Sequence, residues 1–89
     1  MAKRAVVVVG RKKPMRYVTA CITLFNRGED EVILRARGRN MENCIKTIML
    51  LRKGFYSDLK VKEINIGSDM ISSGDRVRYV SYLEVVLKR

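Results

Sequence analysis

Hydrophobic residues fall along the chain in blocks whose spacing changes from one block to the next. Arg4–Val9 is a continuous β-branched run, the pattern of a strand covered on both faces, which predicts a central place in its sheet. Gly10-Arg11-Lys12-Lys13 interrupts it, and Pro14 suits the first turn of a helix, where its missing N–H has no partner to lose. From Pro14 to about Asn26, Met15, Val18, Ile22 and Phe25 recur at helical spacing, widened by Tyr17, Cys21 and Leu24. Gly28 is placed to end that helix in a left-handed cap. Val32–Arg37 reads as a second strand. Asn40 is then the expected cap of a second helix, Met41 to about Lys53, with Met41, Cys44, Ile45, Ile48 and Leu51 on its core face and Gly54 at its end. At about 100° per residue, Leu50 falls opposite that stripe and Met49 on its flank, which fits either a second contact surface or ordinary exposed apolar residues.

A third strand is expected over about Leu59–Ser68. Leu59 and Val61 alternate, Ile64 and Ile66 follow one residue out of phase, and the phase change at Lys62-Glu63 predicts a bulge. Residues 67–76 are rich in turn formers and read as the tip of a long hairpin. In the fourth strand, about Val77–Lys88, Val77, Tyr79, Ser81, Leu83, Val85 and Leu87 point to one face, and Arg78, Val80, Tyr82, Glu84, Val86 and Lys88 to the other. The order β-α-β-α-β-β predicts an α+β two-layer sandwich, with two helices on one face of a four-stranded mixed sheet and a long hairpin joining the last two strands.

At 89 residues the chain is one domain whose core is thin enough for oligomerisation to be a natural supplement. Charge narrows the partners: 19 Lys and Arg face 9 Asp and Glu, a formal net charge of +10 that favours a polyanion. A membrane surface fits less well, because no helix pairs a basic face with a Trp- or Phe-rich one and no apolar run is long enough to span a bilayer. Ala5–Val9 is too short for the apolar core of a signal peptide, so a mature cytosolic start is expected. Cys21 and Cys44 have no Cys-x-x-Cys spacing and no histidine to join them, so they read as small buried hydrophobes in a reducing compartment, with no metal and no cofactor implied. Catalysis lacks a histidine, a nucleophile with a base and a Walker-type loop; Glu42 and Asp69 are the carboxylates through which any activity would have to run. The chain therefore reads as a binding protein and not an enzyme. Glu29-Asp30-Glu31, the one acidic cluster, is expected to be a solvated turn or a point of charge complementarity in an assembly.

The basic residues are unevenly placed. Lys3, Arg4, Arg11, Lys12, Lys13 and Arg16 all precede the first acid, and Arg35, Arg37 and Arg39 alternate through Arg35-Ala36-Arg37-Gly38-Arg39-Asn40, where strand gives way to helix. In a β-α-β unit with parallel strands, the loops after the two strands leave the same sheet edge, so Arg11-Lys12-Lys13 should meet Arg37-Gly38-Arg39 beside two helix N-termini. Arg76 and Arg78 add a third basic element at the hairpin. The candidate nucleic-acid contacts are thus Arg11, Lys12, Lys13, Arg16, Arg37, Gly38, Arg39, Asn40, Asn43, Arg76 and Arg78, and Arg35, deeper in its strand, is expected to be a structural or rim charge. Such a set specifies phosphate and carries little base information. Tyr79 and Tyr82 point to opposite faces, so base stacking on the sheet is not favoured, and duplex is preferred over structured RNA.

The segments Val7-Val8-Val9-Gly10-Arg11-Lys12-Lys13-Pro14, Tyr17-Val18, Leu24-Phe25-Asn26-Arg27-Gly28, Glu31-Val32-Ile33-Leu34, Ala36-Arg37-Gly38-Arg39, Val61-Lys62-Glu63-Ile64 and Ile66-Gly67-Ser68 together resemble the Alba family of archaeal chromatin proteins. The resemblance covers nearly the whole chain, and Ala-Arg-Gly-Arg is its most specific piece. It implies a homodimer, or a heterodimer with a paralogue, that binds double-stranded DNA and often RNA without strong sequence preference, in the cytoplasm and associated with the nucleoid. It further implies that the loop after the first strand lies over the central phosphates and that the hairpins reach along the flanking minor grooves. The family's basic pair corresponds to Arg11 and Lys12 without a gap, or to Lys12 and Lys13 with Pro14 as anchor, and lysine acetylation in this loop is a family property. Arg37 and Arg39 correspond to the family's arginines, and Asn26, Arg52 and Phe55 to positions that pack dimers side by side along DNA. The leading expectation is a sequence-tolerant architectural DNA-binding dimer; the alternative is a ribonucleoprotein subunit that stabilises structured RNA.

Overall fold

The computed structural model describes residues 4–89, so Lys3 lies outside the described residues. The elements follow in the order β1 (Arg4–Val8), α1 (Pro14–Asn26), β2 (Glu31–Arg37), α2 (Asn40–Gly54), β3 (Lys60–Ser73) and β4 (Arg76–Lys88). They build a four-stranded mixed sheet of order β1-β2-β4-β3 with both helices on one face. β1 and β2 run parallel from Arg4↔Glu31 to Val8↔Arg35, and β4 lies antiparallel to both β2 and β3. Each helix boundary has a local cause. Pro14 opens α1, and Gly28, at φ +94°, closes it: its own N–H reaches the Phe25 carbonyl at 3.0 Å and the next N–H, from Glu29, reaches Leu24 at 3.2 Å.

The core lies between the helices and the inner sheet face. Val18, Cys21 and Phe25 from α1 and Cys44, Ile48 and Leu51 from α2 pack on Val9, Val32, Leu34, Ala36, Val85 and Leu87. Burial pushes the Cys21 thiol up to about 12, with Cys44 adding to the effect, and the Cys44 thiol up to about 11, so both remain protonated as small core residues. The phase change at Lys62 is a bulge, with the register shifting between Val61 and Glu63.

Four expectations need correction. β1 is an edge strand and not a central one: Val6 is 58% and Val8 71% exposed. Helices on one face only leave no strand covered on both, and a run of valines does not distinguish outward from inward β-branched positions. Ile45 and Met15, assigned to core stripes, are exposed, and Thr47 is fully buried instead, its hydroxyl donating to the Asn43 carbonyl at 2.8 Å. The hairpin ladder does not end at Ser68 but runs to Ser73↔Arg76, closed by Gly74-Asp75 with Gly74 at φ +60°. Glu31 is not in a solvated turn. It opens β2 only 2% exposed, accepting from Arg4 Nε at 2.5 Å and from Lys62 Nζ.

The hydrogen bonds from Lys62 and then Arg4 hold the Glu31 carboxyl below the ordinary value of 4.5. A folded-state pKa lowered in this way adds stability that is present above the unfolded value and lost as pH falls through the folded one. Glu31→Gln is therefore expected to lower the melting temperature at neutral pH, with the gap to wild type closing as pH falls below about 4.5. Thermal unfolding followed by circular dichroism at pH 7 and pH 3 checks this.

Candidate nucleic-acid interface

Parallel pairing of β1 with β2 delivers Gly10–Lys13 and Gly38-Arg39 to one edge of the sheet. Between them lies an open cleft of about 370 Å³ lined by Gly10, Arg11, Lys12, Lys13, Pro14, Arg39, Asn40, Glu42, Asn43 and Lys46. The long loop side chains Arg11, Lys12 and Lys13 are exposed, but their backbone is not loose. The Tyr17 hydroxyl, reaching up from α1, accepts from the N–H groups of Gly10 (2.9 Å) and Lys12 (3.2 Å). From the other side the Asn43 amide donates to the carbonyls of Gly10 and Lys12, both at 2.8 Å. Gly10 fits closely here, since a Cβ would stand 3.2 Å from the Tyr17 oxygen and would press on the hydroxyl that holds the loop. Two side chains from two helices thus fix the loop, and its cations project from a set frame.

The second loop is built differently from what the sequence suggests. Asn40 does not cap α2; it is already in the first turn, Arg39 holds the cap position, and no side chain bonds the free N–H groups there. The cause is Gly38, whose φ of +51° turns the chain early, so that the Met41 N–H donates to the Gly38 carbonyl at 3.1 Å and the helix starts one residue sooner. The Gly38 N–H in turn donates to the Ser81 carbonyl at 2.8 Å, tying the loop to β4.

Arg37 and Arg39, two residues apart, serve different surfaces. Arg39 lines the cleft. Arg37 lies on the outer, helix-free face, where Asp69 Oδ2 accepts from Arg37 Nε at 2.8 Å and from Arg35 Nη2 at 2.9 Å. Arg35 also donates to Glu84 and lies 4.5 Å from the centre of the Tyr82 ring. Its charged form is stabilised chiefly by Glu84, which raises its pKa above the ordinary arginine value. Tyr82 can lie flat across the neighbouring strand because that strand carries Gly67, where a Cβ would collide with the ring oxygen at 2.6 Å. A second cavity, about 250 Å³, runs between the ends of β1 and β2 past Val8, Val9, Arg35, Ala36 and Arg37, and shares Gly10 and Asn40 with the cleft.

Beyond the last β2 pairing at Arg37↔Tyr82, β3 and β4 continue alone from Ser68↔Ser81 to Ser73↔Arg76. Six residues of strand make an arm roughly 20 Å long. It leaves the same edge as the two loops, with Arg76 and Arg78 at its far end. Arg16 is exposed on the first turn of α1, whereas Asn26, Arg52 and Phe55 are exposed at the other ends of the helices, away from the cleft. Lys46 was not among the sequence candidates, although its spacing of three from Asn43 would have put it beside the cleft. It pairs with Glu42 at 3.4 Å. Among the described residues no group of three or more His, Cys, Asp or Glu could hold a metal ion, and no helix is long and apolar enough to cross a membrane.

These features define a small α+β domain with one rigid basic edge and a projecting hairpin. The Alba family model matches residues 5–68, and the chain belongs to the Alba family. It is 39% identical over 83 residues to "DNA/RNA-binding protein Alba 1" of Archaeoglobus fulgidus, covering 93% of each chain. It is 36% identical over 91 aligned positions to "DNA/RNA-binding protein Alba" of Methanocella arvoryzae, covering 100% of this chain and 94% of that one. Among solved structures, Alba from Thermoplasma volcanium superimposes with a TM-score of 0.88 at 29% identity, over 96% of this chain and 100% of that one. ALBA1 from Trypanosoma brucei shares the fold, with a TM-score of 0.79 at 24% identity over 94% of this chain and 68% of that one.

Removing the clamp and removing a charge should differ in their salt signature. Asn43→Ala, which leaves every cation in place, is expected to weaken nucleic-acid binding about three- to tenfold with the log–log salt slope unchanged, because the loss is one of preorganisation and not of charge. Tyr17→Phe should speed hydrogen exchange at the Gly10 and Lys12 amides. Fluorescence anisotropy at several salt concentrations and exchange followed by NMR measure the two effects.

Proposed function

We propose that this chain is a sequence-tolerant architectural protein that binds double-stranded DNA as a dimer and works on the chromosome. The observation that carries the reading is the meeting of Arg11, Lys12, Lys13, Arg39 and Lys46 around one cleft whose backbone is already fixed by Tyr17 and Asn43. Cations on a rigid frame neutralise phosphates with little ordering cost, and the release of counterions drives association. Lysines and arginines on loops mostly contact the backbone, so the cleft specifies phosphate far better than base sequence. The arm with Arg76 and Arg78 extends the footprint along a groove, and Arg16 and Asn40 border the central contact. The names of the relatives, which couple DNA with RNA, support the polyanion.

The second subunit is argued from a face without charge. On the helix side of the hairpin, β3 presents Val61, Ile64, Ile66, Ser68, Met70 and Ser72, and β4 presents Val77, Tyr79, Ser81, Leu83, Val85 and Leu87. No ionised side chain stands among them, in a protein of net charge +10. The helices leave Ile64 60% and Ile66 78% exposed, beside Met41; Ile45 and Met49 continue from Met41 at intervals of four along α2. A phosphate backbone finds no cation on such a face, whereas a second copy buries it without bringing like charges together. Phe55, 51% exposed at the end of α2 with Arg52, and Asn26 at the end of α1, are the positions at which dimers would contact one another on DNA.

Structured RNA is the second reading, favoured by Tyr79, 71% exposed on the arm and opposite Met70, where an unpaired base could stack.

With about five phosphates neutralised per subunit, a dimer is expected to show a log–log salt slope near −9, and Arg39→Ala should weaken all duplex sequences about equally. A slope near zero in an anisotropy titration overturns the reading; competition between duplex DNA and a folded RNA of equal length separates its two forms. Ile66→Glu is expected to give a monomer with the fold retained, read by sedimentation and circular dichroism.

A further inference from the structure

Asp69 stands between two arginines at the basic edge. Its Oδ2 accepts from Arg35 Nη2 at 2.9 Å and from Arg37 Nε at 2.8 Å, on the outer face at the root of the hairpin arm. Arg37, about half exposed, is drawn across β4 towards β3 by this bond and so away from the cleft formed by Arg11, Lys12, Lys13 and Arg39. Arg35 does not need Asp69 to stay in place. It keeps Glu84 and the face of Tyr82, which Gly67 lets lie flat. An oxyanion bridging two guanidinium groups is what a phosphodiester phosphate would be in the same position.

We propose that Arg35 and Arg37 frame a phosphate site on the outer face of the sheet that Asp69 fills in the free protein, so that Asp69 lowers duplex affinity by competing with the backbone phosphate. This rests on the nucleic-acid reading above. Within the group, Arg35 and Arg37 are balanced by Asp69 and Glu84, so the outer face adds little to the pull on a polyanion while the cleft and the arm remain cationic. A duplex that advances from the cleft towards the arm crosses this group. A phosphate gains Arg37 only by displacing Asp69, and the carboxylate repels it until then.

Asp69→Asn tests this, because it keeps the shape and removes the charge. Asp69→Thr, a residue suited to a strand, is the second variant should the first alter the fold; circular dichroism melts check both. Both are expected to bind a mixed-sequence duplex about three- to tenfold more tightly than wild type at physiological salt, with the salt slope steeper by about one unit per subunit, the signature of one added phosphate contact. Glu29→Gln removes the same charge in the turn between α1 and β2, at the sheet edge opposite the cleft, and should change affinity by less than twofold. In an Arg37→Ala background the gain from Asp69→Asn should largely disappear. The proposal is overturned if both Asp69 variants bind no more tightly than wild type, if Glu29→Gln tightens binding equally, or if the gain persists without Arg37. A wild-type chain that binds no duplex overturns the nucleic-acid reading and this proposal with it, whereas wild-type binding without a gain in the Asp69 variants overturns this proposal alone.

Discussion

The parallel pairing of β1 with β2 is the constraint on which the rest of the molecule depends. Parallel neighbours need a crossover, α1 supplies it, and the geometry then leaves no choice about where the two following loops emerge. Both come out beside a helix start, so Gly10–Lys13 and Gly38-Arg39 share one cleft. The same arrangement brings Tyr17 of α1 and Asn43 of α2 within reach of the first loop's backbone, and each takes two hydrogen bonds from it or gives two to it. A cationic loop this dense would repel itself into many conformations. Four hydrogen bonds from outside the loop hold it in one.

A second consequence comes from putting both helices on one face. The helix layer covers β1, β2 and part of β4, and it stops short of β3. What is left uncovered sorts by chemistry. The helix side of the hairpin carries no charge, and the outer face carries interlocked pairs: Arg4 and Lys62 on Glu31 at one end, Arg35 and Arg37 on Asp69, with Arg35 also on Glu84, at the other. Glu31, Asp69 and Glu84 of the sheet are thus bound to arginine or lysine, whereas Arg11, Lys12, Lys13 and Arg39 line the cleft and Arg76 and Arg78 stand on the arm.

Period-2 and period-3.6 patterns disclosed the element order, both helix spans to within a residue and the bulge at Lys62, because these follow from local spacing. The errors have a common origin in what local spacing leaves out. Whether Val6 and Val8 are covered depends on which layer faces them, and the sequence of β1 is the same for either answer. Asn40 has the composition of a cap, yet the turn at Gly38, stabilised by Ser81 from a strand more than forty residues away, shifts the helix start. Convergence of the two basic loops was readable because parallel βα units permit only one arrangement. The divergence of Arg37 from Arg39 was not, since it depends on Asp69, brought to Arg37 across β4 by the long-range register.

That divergence bears on how a protein this basic could discriminate between one polyanion and another. Arginine donates through a rigid fork, so the partner that claims its Nε fixes where the other nitrogens point. The sheet holds Arg37 and Arg35 against a carboxylate, which on the proposed reading withdraws two phosphate ligands from the free surface while keeping them next to the contact region. Lysine-rich loops that stay unpaired still attract any polyanion at long range, and at short range the paired arginines answer only to an anion that can take the place of Asp69. On that reading attraction and close fit fall to different residues, Arg11, Lys12 and Lys13 for the first and the Arg35–Asp69–Arg37 group for the second. A chain that left all of these cations equally free would gain affinity for every polyanion and lose the difference between them.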